Sequence, residues 1–370
     1  MTSNNLLLSP LKVGDLQLPN RVVMSPLTRA RADGGHVPGA LVAEYYAQRA
    51  GAGLIIAECT MVSDEASAFV AEPGVYNAAQ VAGWKQVTDA VHARGGLIAL
   101  QIWHPGRATH PLNNHGVQPV SSSDKPIRGE QASTAQGPRD YPVPRALATA
   151  ELPGIVAQFR AAAENAKAAG FDAVQVHGAH GYLIDQFLRD SVNDRGDRYG
   201  GSIENRARLL FEVIDAAIEV YGAGRVGLRI SPLVPFNDMQ DSDPRGLVQY
   251  VAAQLQQRGA AFLDLRHAQY DTPQEQELAR IARRAYGGVL MRNGGFDQHS
   301  GEAALEHGTA DTIIYGKPFI SNPDLVERFR QGAELAAVDF ATLYTPGPKG
   351  YTDYPALESA GSDSPALAVA

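Results

Sequence analysis

The sequence is poor in cysteine, since Cys59 is the only one among 370 residues. A single thiol cannot close an intrachain disulfide, which excludes a disulfide-stabilised secreted scaffold. The chain also lacks an apolar run of membrane-spanning length, and its first residues, Met1-Thr-Ser-Asn-Asn, lack the basic region of a signal peptide. From these absences we expect a cytoplasmic protein with no membrane partner.

Basic residues are fewer than acidic ones. The 32 Lys and Arg residues against 40 Asp and Glu residues give a formal net charge of −8, which argues against a nucleic-acid partner. A hydrophobic content of 44% with 19% charged residues is typical of a globular protein. No linker-like stretch divides the chain, so we expect one domain over residues 1–360 and a disordered tail at 361–370.

Apolar strand-like runs alternate with helical patterns along the chain. A hairpin is predicted at 11–18, around Gly14 and Asp15. Eight further runs have the length and β-branched content of buried strands, at 21–25, 54–59, 97–102, 173–177, 226–231, 262–265, 289–292 and 312–315. Helical patterns occupy 41–49, 80–94, 155–169, 205–220, 247–258, 274–285 and 301–307, and Asn322 is predicted to cap a last helix.

Eight β-then-α units in one series predict an α/β fold of the closed (β/α)8 TIM-barrel class. The alternative is an open doubly wound sheet, but its Gly-x-Gly-x-x-Gly fingerprint is missing after the first strand. Residues 104–149, after the third strand, form a connection too long for an ordinary βα loop. We predict a lid or substrate-recognition insertion there, with a mobile surface loop as the alternative.

The stretch after the fourth predicted strand concentrates side chains with acid–base chemistry. The strand runs directly into His177, His180 and Tyr182. Two imidazoles three residues apart can converge on one anionic oxygen, and the phenol can supply a proton nearby. The alternative is a structural histidine pair beside a tyrosine that packs on the barrel rim.

The ends of the last two predicted strands indicate a phosphate site. Gly294, Gly295 and Gly316 would let backbone N–H groups approach a phosphate closely, and Lys317 would add a positive charge. Two tight turns are the alternative explanation for these glycines.

Two polar residues at other strand ends fit a flat heterocycle. Gln101 can both donate and accept along the edge of a uracil-like ring, and Arg229 would stabilise negative charge on it. An ion-paired arginine and a capping glutamine are the alternatives. Together with the phosphate site these groups suggest FMN, with Thr28 able to donate to a ring carbonyl.

Longer motifs resemble those of one known family. They are Asn20-Arg-Val…Pro26-Leu-Thr-Arg29, Gln101-Ile-Trp-His-Pro-Gly-Arg107, His177-Gly-Ala-His-Gly-Tyr-Leu183, Tyr199-Gly-Gly-Ser-Ile-Glu-Asn-Arg206 and Gly316-Lys-Pro-Phe-Ile-Ser-Asn-Pro323. On these motifs the chain resembles the Old Yellow Enzyme family of FMN-dependent ene-reductases, especially bacterial N-ethylmaleimide and pentaerythritol tetranitrate reductases. The resemblance implies bound FMN, NADH or NADPH as reductant, electron-poor alkenes or nitro compounds as substrates, and a monomer or homodimer.

The resemblance also assigns roles residue by residue. The flavin ring would be lined by Pro26, Thr28, Cys59, Gln101 and Arg229, and the phosphate would be held by Gly294, Gly295, Gly316 and Lys317. A substrate carbonyl or nitro oxygen would bind His177 and His180, and the α-carbon would be protonated by Tyr182. The substrate pocket would be shaped by Trp103, Phe69 and Tyr351.

The chain departs from the family pattern at a few positions. Lys317 stands where the family usually has Arg, Cys59 where a small residue is usual, and Phe69 where Tyr is frequent. The segment 265–271 matches poorly. We expect these departures to affect FMN retention and substrate range rather than the chemistry.

Rival functions are open on the sequence alone. A nitro or nitrate-ester reductase, or a non-catalytic flavin carrier, would use the same fold. A metal-dependent barrel hydrolase would use His177 and His180 as ligands, but it needs further ligands and no His-x-His marks the first strand. A Schiff-base lyase would use Lys317.

Overall fold

A computed structural model describes residues 5–357. The strands of this part of the chain are, in order, β1 (Leu11–Val13), β2 (Leu16–Leu18), β3 (Val22–Met24), β4 (Leu54–Met61), β5 (Ile98–Trp103), β6 (Val120–Ser121), β7 (Gln131–Ala132), β8 (Arg139–Asp140), β9 (Arg145–Ala146), β10 (Ala173–Gly178), β11 (Val226–Ile230), β12 (Phe262–Arg266), β13 (Val289–Asn293) and β14 (Thr312–Tyr315). Eight of them close into a parallel barrel in the order β10-β11-β12-β13-β14-β3-β4-β5. The predicted TIM barrel is therefore confirmed. The single-domain boundary stays a prediction, and the predicted tail at 361–370 lies outside the described residues.

Helices cover the outside of this barrel. They are α1 (Ala40–Gln48), α2 (Ala78–His92), α3 (Leu152–Ala168), α4 (Leu183–Leu188), α5 (Ile203–Arg206), α6 (Arg208–Tyr221), α7 (Pro244–Arg258), α8 (Pro273–Ala285), α9 (Gln298–Glu306), α10 (Lys317–Ser321) and α11 (Leu325–Gln331). Apolar residues at helical spacing give α6 a buried face that includes Leu209, Leu210, Val213, Ile214 and Ala217. Along residues 5–357 no helix combines the length and apolar character needed to cross a membrane.

Two details of the predicted helices are wrong. The helix predicted at 205–220 divides into α5 and α6, because the buried Arg206 donates to the carbonyl of Leu188 (2.7 Å) and to Asp241 (2.6 Å), which ties α5 to neighbouring loops. Asn322 does not cap the last helix. Its amide donates to the carbonyl of Pro318 (2.8 Å) at the end of α10, and α11 begins only at Leu325.

The predicted hairpin is confirmed, and it closes the bottom of the barrel. Its inward side chains are buried against the amino ends of barrel strands in one apolar cluster, which includes Val13, Leu16, Leu18, Leu54, Ala173 and Phe262. Polar chemistry is thereby confined to the opposite end, where the carboxyl ends of the parallel strands meet.

The hairpin turn depends on a glycine. Gly14 has a φ of +56°, and a Cβ at this position would lie 2.1 Å from the carbonyl oxygen of Gly224. The same oxygen accepts a hydrogen bond from the N–H of Asp15 (2.9 Å). The turn thus needs both a left-handed backbone and a close approach between two loops.

The insertion at 104–149 contains two small sheets, β6–β9 and β7–β8. Arg107 anchors it, because its buried guanidinium donates to the carbonyls of Lys125 (2.8 Å) and Asn237 (2.9 Å). An apolar cluster around Trp103 and Tyr182 includes three residues of the insertion, Ala108, Ile127 and Tyr141. The insertion therefore covers the barrel mouth beside Tyr182, and its function as a lid stays a prediction.

We expect Gly14→Ala to destabilise the protein more than Gly259→Ala. Gly259 also has a positive φ (+64°), but its nearest neighbour to a built Cβ is 3.9 Å away. Its substitution should cost only the left-handed penalty of about 1–2 kcal/mol, whereas an alanine at 14 must also displace the loop at Gly224. Urea unfolding followed by circular dichroism measures both, and equal losses would contradict a close-packed turn.

Candidate active site

A buried row of polar side chains crosses the barrel below its mouth. Gln101 on β5 donates to Gln175 on β10 (Nε2 to Oε1, 2.7 Å), and Gln175 donates to Asp264 on β12 (Nε2 to Oδ2, 3.2 Å). Arg229 on β11 lies next to this carboxylate, and all four residues are at most 3% exposed. Because buried polar groups are stable only when they are bonded to each other or to a ligand, the row fixes the positions of Gln101 and Arg229.

Arg229 and Asp264 form an ion pair without a well-aligned hydrogen bond. The Nε of Arg229 lies 3.3 Å from Oδ2 of Asp264, yet the angle leaves that N–H without an acceptor. Burial raises the pKa of the Asp264 carboxyl, and the Arg229 charge opposes this rise. The guanidinium is thus positioned by a charge on one side and open to the cavity on the other.

His177 presents a hydrogen-bond donor to the barrel mouth. Burial, assisted by the charge of Arg229, lowers its pKa well below the usual value, so the ring is neutral at neutral pH. Its Nδ1 accepts the N–H of Ala179 (3.3 Å). In a neutral imidazole the other nitrogen must then carry the proton, which assigns Nε2–H as the free donor.

His180 is held in a strained backbone conformation. Its φ is +57°, which is costly for a residue with a side chain. The hydroxyl of Ser231 accepts its N–H (2.8 Å), and the side-chain amide of Asn237 donates to its carbonyl (2.8 Å). Burial and the nearby Arg229 lower its pKa as well, so a second neutral imidazole lies 5.6 Å from His177, between ring centres.

A buried ion pair supports this strained turn. Asp185 accepts the N–H of Gly181 (2.9 Å) and pairs with Arg189 (3.0 Å). Arg189 also donates to the carbonyls of Ser231 and Val234. Strain persists where surrounding contacts over-determine the backbone, and it is typical of functional sites.

Aromatic rings enclose the phenol of Tyr182. It meets His177 and Trp103 edge-to-face, with ring centres 5.1 and 5.2 Å away, and Phe69 stacks on Trp103 at 5.9 Å. Burial raises the pKa of Tyr182 well above its usual value, and neighbouring Cys59, Tyr141 and Tyr344 raise it further. The phenol is therefore fully protonated at neutral pH.

Thr28, in the loop after β3, contacts Cys59 on β4. The Thr28 hydroxyl lies 3.1 Å from the Cys59 thiol, at an irregularity in the pairing of β4 with β5 between Ala57 and Thr60. Bulges of this kind are frequent beside active sites because they redirect a side chain. Burial raises the pKa of the Cys59 thiol, so it stays protonated.

A buried glutamate ties the loop after β3 to β4. Glu58 accepts the N–H of Arg29 (3.0 Å) and the hydroxyl of Tyr46 (3.3 Å). Burial raises the pKa of Glu58 to about 7, an effect that the Arg29 hydrogen bond opposes. Since Thr28 and Cys59 adjoin the two ends of this contact, Glu58 keeps them in register.

A cavity of about 910 Å³ opens at this end of the barrel. The predicted residues that line it are Pro26, His180, Arg229, Gly294, Gly295, Gly316 and Lys317. Gly294 (φ +144°) has no room for a side chain, because a Cβ would lie 2.7 Å from the Cβ of His267, whereas nothing lies within 4 Å of a Cβ built at Gly295. The backbone after β13 therefore faces the cavity without intervening side chains. The other predicted residues do not line this cavity. His177 contacts the cavity residue His180 and also Tyr182, which is followed by Trp103 and Phe69. Gln101 belongs to the buried row that ends at Arg229, and Thr28 contacts Cys59.

One predicted pocket residue, Tyr351, is fully buried in this structure. Tyr351 has no exposed surface, because it stacks on Tyr45 with 4.0 Å between ring centres and lies against the guanidinium of Arg31. Tyr344, on the same segment, is 67% exposed and close enough to Tyr182 to raise its pKa. Tyr344 is thus a further aromatic residue of the C-terminal segment near Tyr182, and the pocket role of Tyr351 stays a prediction.

Sequence reasoning also missed Gln175, Asp264, Ser231 and Arg266. Gln175 had a signal, because it lies two residues before His177 and so on the same face of the strand. Asp264 interrupts an apolar strand in the same way. Nothing in the local pattern pointed to Ser231, whose role depends on the fold around His180.

The metal-dependent hydrolase lacks a ligand set in the described chain. Within residues 5–357 no three His, Cys, Asp or Glu side chains come close enough together to hold a metal ion. His177 and His180 instead belong to the hydrogen-bonded scaffold described above.

Comparisons with known proteins agree with this geometry. The NADH:flavin oxidoreductase / NADH oxidase family matches residues 6–336. A probable flavin mononucleotide-dependent alkene reductase from Leishmania infantum is 48% identical over 95% of this chain and 98% of its own length. For 12-oxophytodienoate reductase 7 from Oryza sativa subsp. japonica the identity is 47%, over 95% and 94%.

Solved structures share the fold over nearly the whole chain. Morphinone reductase in complex with tetrahydroNAD superposes with a TM-score of 0.92 at 46% identity, covering 95% of this chain and 98% of that one. The old yellow enzyme homologue from Zymomonas mobilis gives 0.91 at 42% identity, over 94% and 99%. The chain therefore belongs to the NADH:flavin oxidoreductase / NADH oxidase family and is an oxidoreductase of the Old Yellow Enzyme type.

Proposed function

We propose that this protein binds FMN in the cavity and uses NADH or NADPH to reduce alkenes conjugated to a carbonyl or nitro group. In the net reaction a hydride adds to the β-carbon and a proton to the α-carbon, while the nicotinamide is oxidised. The observation that carries the proposal is the group of two neutral imidazoles and a protonated phenol beside a cavity with a bare glycine backbone. An alkene reductase among the relatives and a neighbour bound to a nicotinamide analogue support it.

The residues of the cavity fit FMN. Gly294, Gly295 and Gly316 leave the backbone open toward one end, where the exposed Lys317 would pair with the phosphate. At the other end Arg229 has a guanidinium without a side-chain hydrogen bond inside residues 5–357. A flavin edge would satisfy that donor, with Pro26 beside the ring. The chemistry that FMN supplies when bound is hydride transfer.

The two histidines would bind and polarise the substrate. Their neutral rings offer N–H donors to a carbonyl or nitro oxygen, and negative charge develops on this oxygen as the β-carbon is reduced. The hydrogen bond from Ala179 fixes the donor tautomer of His177, and the bonds to Ser231 and Asn237 fix the backbone of His180. Little reorganisation is then needed when charge appears.

Tyr182 would donate the proton to the α-carbon. It lies against His177, so a substrate held by the histidines would place its neighbouring carbon near the phenol. Trp103 packs edge-to-face on the Tyr182 ring, and Phe69 stacks on Trp103. Thr28 would donate to a flavin carbonyl and Cys59 would line the ring; both roles stay predictions.

Two alternatives use the same cavity. A nitro or nitrate-ester reductase would share the oxygen-binding histidines but would not need the Tyr182 proton at carbon. A non-catalytic flavin carrier would bind FMN without turnover. Anaerobic reduction by NADH and by NADPH, followed by reoxidation with 2-cyclohexenone, a nitroalkene and a nitrate ester, separates all three. Bound FMN that no acceptor reoxidises would overturn the proposal.

Tyr182→Phe should slow the reoxidation by 2-cyclohexenone and leave reduction by the nicotinamide nearly unchanged. A positioned general acid contributes roughly 10²–10⁴-fold, and the phenol has no part in the first half-reaction. Stopped-flow absorbance of the flavin measures each half-reaction separately. If both slowed equally, Tyr182 would have a structural role instead of donating the proton.

His177→Leu should slow the same reoxidation by about 10²–10³-fold, the usual effect of losing one donor to a developing oxyanion. His177→Asn keeps an N–H donor of similar reach and is the matched control, so it should retain more of the rate. Equal losses in the two variants would show that shape, rather than hydrogen bonding, is what the site needs from His177.

A further inference from the structure

Arg266 is a cation in the cavity to which the proposed function gives no role. It ends β12, in the segment that matches the family pattern poorly. Asp264 points into the barrel, where it meets Gln175 and Arg229. Because side chains two apart on a strand share a face, Arg266 points to the same side but nearer the mouth. It lines the cavity together with Arg229 and His180.

Arg266 has no carboxylate partner in the part of the chain that the structure describes. Its Nη1 is buried there without a hydrogen bond, whereas Arg229 has Asp264 at 3.3 Å. Burial, and then the like charge of Arg229, lower the pKa of Arg266 to about 10, so it is still protonated at neutral pH. Two cations in one partly buried cavity cost free energy unless an anion is held between them.

The cavity would offer two anionic groups of FMN to Arg266, the phosphate and the edge of the reduced ring. The charges that act most strongly on Arg266 are those of Arg229, Asp264 and Glu275, and Arg266 in turn lowers the pKa of His180. The strand register places Arg266 beside Asn293 of β13 and two residues beyond Asp264, which pairs with Arg229 of β11. Arg266 therefore lies between the glycines after β13 and the Arg229 side of the cavity, within reach of the ring edge. Lys317 and the glycines after β13 and β14 already serve the phosphate end.

We propose that Arg266 is a second flavin-contacting cation, which supplies the net positive charge beside the ring edge that becomes negative on reduction. The inference rests on the proposed function. Asp264 largely neutralises Arg229, so these two alone bring little net charge to the ring. Among the residues named here that line the cavity or face Arg229, Arg266 brings the count to two guanidiniums and one carboxylate, because Glu275 lies on α8 and is bonded to His267 (2.6 Å). This net positive charge favours the reduced flavin over the oxidised one.

The test compares three variants of the FMN-loaded protein: Arg266→Met, Arg266→Lys and Lys317→Met. Anaerobic reduction in equilibrium with a reference dye gives the midpoint potential, and flavin fluorescence gives the Kd for oxidised FMN. Arg266→Met should lower the preference for reduced over oxidised FMN about tenfold, which is about 30 mV for a two-electron couple. Arg266→Lys keeps the charge and should restore most of this shift.

Lys317→Met is the matched control, because it removes one charge from the phosphate end. Oxidised and reduced FMN carry the same phosphate, so this variant should raise the Kd without changing the potential. An unchanged potential in Arg266→Met, with FMN bound, would overturn the assignment of Arg266 alone. Wild-type protein that binds no FMN would overturn the proposed function with it. Should Arg266→Met not retain FMN, Arg266→Gln removes the charge while keeping two donors.

Discussion

Asp264 is the buried carboxylate on which the polar centre of the barrel depends. It has no exposed surface, and its Oδ2 accepts from Gln175 while it faces Arg229. Burial of a charge this deep is tolerated only with a partner, so the carboxylate and the guanidinium hold each other in the apolar barrel. Gln101 is positioned in turn through Gln175. One ion pair thus determines where two predicted flavin contacts lie.

The same barrel end also stores backbone strain. His180 adopts a left-handed conformation because Ser231, Asn237 and the Asp185–Arg189 pair leave it no relaxed alternative. Rigid support of this kind orients donors before a substrate arrives, which lowers the reorganisation needed in the transition state. The apolar hairpin cluster at the opposite end supplies stability without polar cost. Function and stability are therefore separated along the barrel axis.

Much of this architecture is predictable from sequence. The strand periodicity gives the barrel, and the polar ends of the strands give Gln101, His177, His180 and Arg229, because parallel strands must end on one side. Helix boundaries are less predictable. The break at Ala207 depends on hydrogen bonds from Arg206 to Leu188 and Asp241, which lie outside the helix in the sequence.

Contacts between side chains that are distant in sequence are harder to predict from the sequence. Tyr344 and Tyr351 share one glycine-rich segment, and only packing against Tyr45 decides which of them is buried. The local sequence likewise does not predict that Arg266 lacks an ion-pair partner within the described residues. This depends on Asp264 pairing with Arg229 instead. Motif reasoning identifies residues that act on a ligand more easily than the residues that position them.

Burial in a region of low dielectric sets the protonation states of His177, His180 and Tyr182. Burial keeps His177 and His180 neutral and Tyr182 protonated, so in the proposed reaction all three would act as hydrogen-bond donors. A charged imidazole beside Arg229 would add a further cation to a cavity that is already lined by Arg229, Arg266 and Lys317, at a high desolvation cost. Because the histidines are neutral, the positive charge on this side of the cavity comes from the arginines alone. In the proposed reaction the only proton that this group would have to give up is the one on Tyr182, which matches a reduction that needs a single proton at carbon.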